Sequence, residues 1–163
     1  PSGSGKTTLL RMMAGLEKAD KGRIRGLENR RIGMVFQEDR LLRQKNALDN
    51  VSFVNPRKNI KDVLRALGLE EAWHKPVSDL SGGMKRRVAL ARALAYTDDV
   101  LLMDEPFKVL DEKIKKQVMD QFKDLGNKGL VIFVTHDRAE AEYLADQVIF
   151  LEGPPLYQIR EEK

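Results

Sequence analysis

At 163 residues the chain is long enough for one domain with a real core, and its 42% hydrophobic and 33% charged residues place it among soluble, globular folds on the polar side. It contains no apolar run of about 18 residues, which excludes a membrane-spanning helix, and no cysteine, which excludes a disulfide framework and a thiolate-held metal and suits the cytosol. The net charge of +4 is spread among 25 acidic residues, so it reads as mild solubilising charge and not as a patch for nucleic acid or lipid.

The first eight residues, Pro1-Ser2-Gly3-Ser4-Gly5-Lys6-Thr7-Thr8, read as a phosphate-binding loop opening onto a helix. The pattern is Gly, four residues, then Gly-Lys-Ser/Thr. Gly5-Lys6-Thr7 completes it, and the first glycine falls one position before Pro1, so an N-terminally incomplete domain is expected. Gly3 and Gly5 let the backbone take left-handed conformations and come close to a phosphate. Successive N–H groups then form an anion-binding concavity, and the helix beginning near Lys6 adds its dipole. In such a loop Lys6 reaches the β- and γ-phosphates and Thr7 offers its hydroxyl to Mg²⁺.

Leu9, Leu10 and Met13 make an apolar stripe on a helix over 6–16, which Gly15 and the polar run 17–22 end. Ile24 and its neighbours suit a short strand. Residues 31–36 read as a strand with Gln37 at its carboxyl end, the end beyond which open α/β sheets bind ligands. Gln37 there is either a solvated loop residue or a group that touches Mg²⁺ or orients water. From about residue 46 to 96 no strand is legible. Ile60, Val63, Leu64 and Leu67 have helical spacing closed by Gly68, and a further short helix begins at Glu70. Trp73 reads as packing, and His74, with no second histidine at ligand spacing, as surface.

Ser81 is a good N-cap for a long helix with Val88, Leu90, Ala91 and Leu94 on its apolar side. Ser81-Gly82-Gly83 is either an ordinary cap or a second phosphate-friendly helix start. Lys85-Arg86-Arg87 reads as a solvated face. Residues 100–103 form a continuous apolar run, the mark of a strand buried on both faces of a parallel sheet, and it ends in Asp104-Glu105. Those two acids either begin a loop or mark a cation site, Asp104 holding Mg²⁺ and Glu105 polarising an attacking water. Pro106 breaks the element. A helix opens at Leu110-Asp111 and closes at Gly126. Residues 130–135 are a second buried strand, with His136 at its end as Gln37 and Glu105 stand at theirs. A helix over 139–146, a last strand over 148–151 and a turn with a polar end at 153–163 complete the chain.

Taken in order, these stretches resemble the ATP-binding subunit of an ABC transporter. The resemblance covers essentially the whole chain. It rests on Ser2 to Thr8 as Walker A, Gln37 as the Q-loop and Leu80-Ser81-Gly82-Gly83-Met84 as the signature. It continues with Val100 to Glu105 as Walker B plus the catalytic glutamate, Leu110-Asp111 as the D-loop and Thr135-His136-Asp137 as the H-loop. Met84 replaces the usual signature glutamine, and Val109 is bulkier than the residue that usually precedes Leu-Asp. The signature helix and Phe36 to Leu42 are most similar to the nitrate/sulfonate/taurine importer branch.

The resemblance implies an α/β fold of the P-loop NTPase type, a mostly parallel sheet with helices on both faces and a helical insertion. It implies one ABC ATPase domain over 1–163, with a RecA-like core at 1–38 and 97–163 and a helical, signature-bearing subdomain at 39–96. Family members carry two or three strands before Walker A, and those are not part of this sequence. The implied ligands are ATP and Mg²⁺, with Ser2, Gly3, Ser4, Gly5, Lys6, Thr7 and Thr8 on the phosphates, and Thr7, Gln37 and Asp104 on the metal. Glu105 is the implied general base, with His136 and Gln37 at the γ-phosphate. Ser81, Gly82 and Gly83 are expected to meet ATP across a head-to-tail homodimer, with Asp111 linking the two sites. The implied setting is cytoplasmic and peripheral, on the inner face of the membrane, with transmembrane permease subunits as direct partners and a solute-binding protein as an indirect one. The implied function is powering the import of small, possibly anionic, solutes. The alternatives are a non-catalytic fragment and a soluble ABC-type ATPase not coupled to transport.

Overall fold

A computed structural model describes residues 5–56, 58–97, 99–126, 129–153 and 157–162. Ser2, Gly3 and Ser4 of the expected phosphate loop, and the Pro154-Pro155 turn, lie outside the described residues. Gly5 sits at φ 91°, a left-handed geometry that only glycine takes cheaply, and its carbonyl accepts the first intrahelical bond from the Leu9 amide at 2.9 Å. Helix α1 (Lys6–Met13) therefore starts at Lys6 as expected, and it ends where Gly15 turns left-handed at φ 71°.

Three strands, β1 (Ile32–Val35), β2 (Val100–Asp104) and β3 (Leu130–Val134), form a parallel sheet in the order β1-β2-β3. Every residue of β2 is buried. Its alternate side chains serve opposite faces. Leu101 and Met103 join the large core, while Val100 and Leu102 pack with Leu10 of α1. The run 130–135 was expected to be buried too, yet β3 is only half-buried, with Leu130 47% exposed. Among the described residues it pairs on one edge alone, with β2.

Parallel neighbours need long crossovers. The one from β1 to β2 carries α2 (Ala47–Ser52), α3 (Ile60–Ala66), 3-10 turns at Glu70–Ala72 and Val77–Asp79, and α4 (Gly82–Tyr96). The helix expected at Glu70 is thus a single tight turn. The crossover from β2 to β3 is α5 (Glu112–Gly126), and α6 (Arg138–Leu144) follows β3. The larger core runs from Val51, Leu64 and Leu67 through Val88 and Leu90 to Leu101, Met103, Phe107, Val118 and Phe122, so the helical segment and the sheet are packed together. Phe107 lies edge-on to Phe122 and Phe133, with centroids 5.9 and 6.3 Å away.

Two further expectations fail. No strand forms near Ile24, because Gly22, Gly26 and Asn29, with φ of 82°, 86° and 60°, turn the chain out of the extended region. The end of the chain is not simply polar: β5 (Tyr157–Glu162) pairs antiparallel with β4 (Val148–Glu152), in a two-stranded sheet with an irregularity between Phe150 and Leu151. The period-two pattern Tyr157-Gln158-Ile159-Arg160 is its sequence signal.

Candidate functional site

Parallel register decides which residues meet. Val35 pairs with Met103, and Asp104 with Val134. The chain therefore leaves the sheet at one edge three times, at Gln37, at Asp104-Glu105 and at His136. Helix α1 packs across β2 and places Thr7 over the same edge, where its hydroxyl donates a 2.6 Å hydrogen bond to Asp104 Oδ2. Asp104 is only 3% exposed, so this carboxylate is held in a largely dry place with a hydroxyl as its side-chain partner. Beside it, Glu105 Oε1 stands 3.2 Å from His136 Nε2. The Glu105 side chain is mostly buried and the His136 side chain half open to solvent, at 14% and 53% exposure. Glu105 is also in the left-handed region at φ 47°. That conformation costs of order 1–3 kcal/mol in a non-glycine residue and persists where surrounding bonds hold it.

The other expected residues are distributed as follows. Gln37 is exposed just past β1. Lys6 is half-buried in the first turn of α1, and Thr8 is exposed one residue beyond Thr7. Ser81 caps α4, its Oγ accepting from the Met84 amide at 3.2 Å. Gly82 is exposed, and a Cβ on Gly83 would meet the Val109 carbonyl at 3.5 Å, so the start of α4 lies against the loop that leads to Asp111. Asp111 is exposed, and its Oδ1 accepts from the Ile114 amide at 3.1 Å at the start of α5. The structure thus joins Thr7, Asp104, Glu105 and His136 directly. Ser81, Gly82 and Asp111 face solvent.

Two supports were not legible as such. Arg86, expected in a solvated face, is 2% exposed. Three consecutive helical residues point in three directions, and Arg86 shares its face with Ala89, Leu90 and Ala93, all buried; that i, i+3, i+4, i+7 spacing was the available signal. Burial pushes its guanidinium pKa down, opposed by the neighbouring Asp39, Asp104 and Glu105. The second support lies behind His136. Lys115 of α5 bridges Glu112 (2.9 Å), Glu140 (3.2 Å) and Asp137 (3.4 Å), and Thr135 donates to Glu140 Oε2 at 2.6 Å. The Glu112 hydrogen bond is the largest influence holding Lys115 protonated, and its pKa is raised despite partial burial. Desolvation pushes Asp137 up, but the Ala139 amide, the Lys115 ammonium and the Glu140 amide outweigh it and hold the carboxyl below its ordinary value.

The sequence of residues 1–108 matches the ABC transporter family. The chain belongs to the ABC transporter family. It is 42% identical to the probable sulfate/thiosulfate import ATP-binding protein CysA of Chlorella vulgaris, over 98% of this chain and 76% of that protein. It is also 42% identical to the sulfate/thiosulfate import ATP-binding protein CysA of Vibrio cholerae, over 98% of this chain and 49% of that one. The chain spans about half the length of most of the curated relatives it matches. Among solved structures it is similar to an RNase-L inhibitor (TM-score 0.82, 28% identity, 95% of this chain and 31% of that chain). It is also similar to a chain in a model of ribosome-bound archaeal Pelota and ABCE1 (TM-score 0.85, 27% identity, 99% of this chain and 29% of that one).

ABC domains are ATPases that use Mg²⁺, and the described residues fit that pair of ligands. Mg²⁺ takes one or two carboxylates, keeps several waters and draws its other oxygens from phosphates. Thr7 and Asp104 supply a hydroxyl and a carboxylate of that kind, 2.6 Å apart. Among the described residues there is no group of three or more His, Cys, Asp or Glu that could hold a metal ion.

Proposed function

We propose that this chain is the ATP-hydrolysing motor of an ABC importer for a small anionic solute. The observation that carries the mechanism is the pairing of two contacts at one sheet edge, Thr7 with Asp104 and Glu105 with His136. Mg²⁺, when bound, offsets negative charge on the phosphate oxygens. Thr7 and Asp104 hold it, and Lys6 with the Gly5 amide region cradles the phosphates. Glu105 accepts the proton of the attacking water as the new P–O bond forms and the bond to the ADP oxygen breaks. His136 orients the Glu105 carboxylate and reaches the γ-phosphate, and Gln37 orients the water or contacts the metal. Ser2, Gly3, Ser4 and Thr8 complete the phosphate loop.

Ser81, Gly82, Gly83 and Asp111 are assigned to a second copy of the chain. They are exposed or half-buried on α4 and the loop before α5, whereas Thr7 sits on α1, which packs on β2. A head-to-tail homodimer gives them an ATP to meet. In this reading residues 1–38 and 97–163 form the RecA-like core and residues 39–96 the signature-bearing subdomain. Permease subunits dock the pair on the cytoplasmic face of the membrane, with a solute-binding protein acting through them. No helix among the described residues is long and apolar enough to cross a membrane. The import names of the relatives favour sulfate or thiosulfate as the solute class, whereas the signature helix and residues 36–42 resemble the nitrate/sulfonate/taurine branch; all of these solutes carry an oxyanion group. The likeness to ABCE1 supports a second reading, a soluble ATPase not coupled to transport, which the higher identity to import proteins disfavours.

The test is phosphate release from ATP by the intact protein with Mg²⁺. Hydrolysis that Glu105→Gln removes while nucleotide binding persists supports the motor. Binding without any hydrolysis in the unmutated protein, alone or with its permease, sinks it.

A further inference from the structure

We propose that Arg86 is a positioning residue for hydrolysis: its buried guanidinium fastens the end of β1, which carries Gln37, to the end of β2, which carries Asp104 and Glu105, as one block seated on α4. The proposal rests on the ATPase function above and adds a residue that never touches ATP.

The contacts make the case. Strand ends shed their ladder partners, and each carbonyl there needs another donor. Arg86 supplies them. Nε donates to the Pro106 carbonyl at 2.7 Å. Nη2 donates to the carbonyls of Asp104 at 3.0 Å and Glu105 at 2.9 Å. Nη1 donates to the Phe36 carbonyl at 2.6 Å, with longer contacts to the Gln37 carbonyl at 3.4 Å and Asp39 Oδ1 at 3.3 Å. A guanidinium has five N–H donors in a fixed plane, and here they are divided between two strands. Arg86 is 2% exposed, so this fork has no capacity left for a ligand.

The target of the fork is the strained residue. Glu105 at φ 47° keeps its geometry only while the peptides on either side are pinned. Its own amide donates to the Val134 carbonyl at 2.9 Å. Arg86 holds the carbonyl before it, its own carbonyl and the carbonyl after it. The direction of the Glu105 carboxylate toward His136 therefore depends on these bonds. The same fork fixes where the chain leaves β1 for Gln37. Lysine keeps the charge but has no planar fork, and glutamine brings an acceptor against a row of acceptors. Thr7 and Lys6 sit on α1, across β2, and do not share the clamp.

The experiment uses the intact protein with Arg86→Lys, Arg86→Gln and Glu105→Gln, assayed for ATP hydrolysis and for binding of a fluorescent ATP analogue. Misplacing a catalytic group by about 1 Å costs on the order of 100-fold, so both Arg86 variants should lose about that factor in kcat while nucleotide affinity holds. Asp39→Asn, which leaves every carbonyl bond in place, should keep kcat close to wild type. If wild type hydrolyses ATP and Arg86→Lys matches it, the positioning role is refuted while the ATPase function stands; if wild type itself does not hydrolyse, the function fails first. A loss in Asp39→Asn as large as in Arg86→Lys would mean that charge balance, and not the clamp, is at work. Should the Arg86 variants not fold, hydrogen exchange on the wild type decides. Peptides covering 33–40 and 101–108 should change protection together on adding ATP, and independent responses would overturn the proposal.

Discussion

Replacing Asp104 by asparagine separates what this carboxylate does for the fold from what it does for the ligand. Asp104 is 3% exposed and accepts one side-chain hydrogen bond, from Thr7 at 2.6 Å. Burying a carboxylate costs several kcal/mol after relaxation; one hydrogen bond to a charged group returns about 1.5–3, and attraction to the buried Arg86 guanidinium offsets part of the remainder. Asparagine keeps an acceptor for the Thr7 hydroxyl and removes the charge. The unliganded Asp104→Asn protein should therefore melt within about 1 kcal/mol of wild type or above it. The ligand side behaves oppositely. A ligand at 100 times its Kd stabilises by about 2.7 kcal/mol, which raises Tm by roughly 5–11 °C at about 2–4 °C per kcal/mol. Wild type should show that rise with a non-hydrolysable ATP analogue and Mg²⁺, and a smaller one when EDTA removes the metal. Asp104→Asn should show the same small rise with and without Mg²⁺. The assay is calorimetry of the intact protein. A full Mg²⁺-dependent rise in the variant refutes the assignment of Asp104 to the metal, and a loss above about 2 kcal/mol in the unliganded variant refutes the balance drawn for its burial.

Gly33→Ala should destabilise by about 1–3 kcal/mol, as overpacking does, because a Cβ there would stand 2.9 Å from Thr97 Cγ2 and 3.2 Å from Leu101 Cδ1; urea unfolding reads it, and an unchanged midpoint contradicts the tight approach of β1 to the end of α4. The depressed Asp137 carboxyl contributes stability that is present above its unfolded value of 3.8 and is lost as pH falls through its lower folded value. Lys115→Met removes its cation, so the stability–pH curve on the acid side should flatten; an unchanged slope would count against the Lys115 network. Phe107→Ala should cost about 3–5 kcal/mol, since its ring is fully buried against Phe122 and Phe133, and a thermal melt close to wild type would show that the loop after Glu105 is not anchored there.

Much of the fold follows from period and punctuation. The apolar run 100–103 announces a central strand, and Ser81 announces the start of α4 through its cap. Spacing alone left Gln37, Glu105 and His136 as three polar groups after three strands; only parallel register says that they share an edge. What stayed hidden is long-range. Nothing local marks β3 as half-buried, because its exposure depends on which strands flank it. Arg86 carries its charge at a buried helical phase, and a buried guanidinium is tolerated only when carbonyls at the ends of β1 and β2, 49–50 and 18–20 residues away in sequence, converge on it. Lys115 has one partner, Glu112, on its own helix, but Asp137 and Glu140 come from beyond β3 and no local pattern announces them.

The most direct measurement is the mass of the intact Glu105→Gln protein by light scattering with ATP and Mg²⁺. With its proton acceptor removed but Thr7, Asp104 and the signature residues intact, ATP should stay bound between two copies. The mass should double with ATP and Mg²⁺ and return to that of one copy with ADP. A single copy at saturating ATP and Mg²⁺ would contradict the assignment of Ser81, Gly82 and Gly83 to the nucleotide of a second chain.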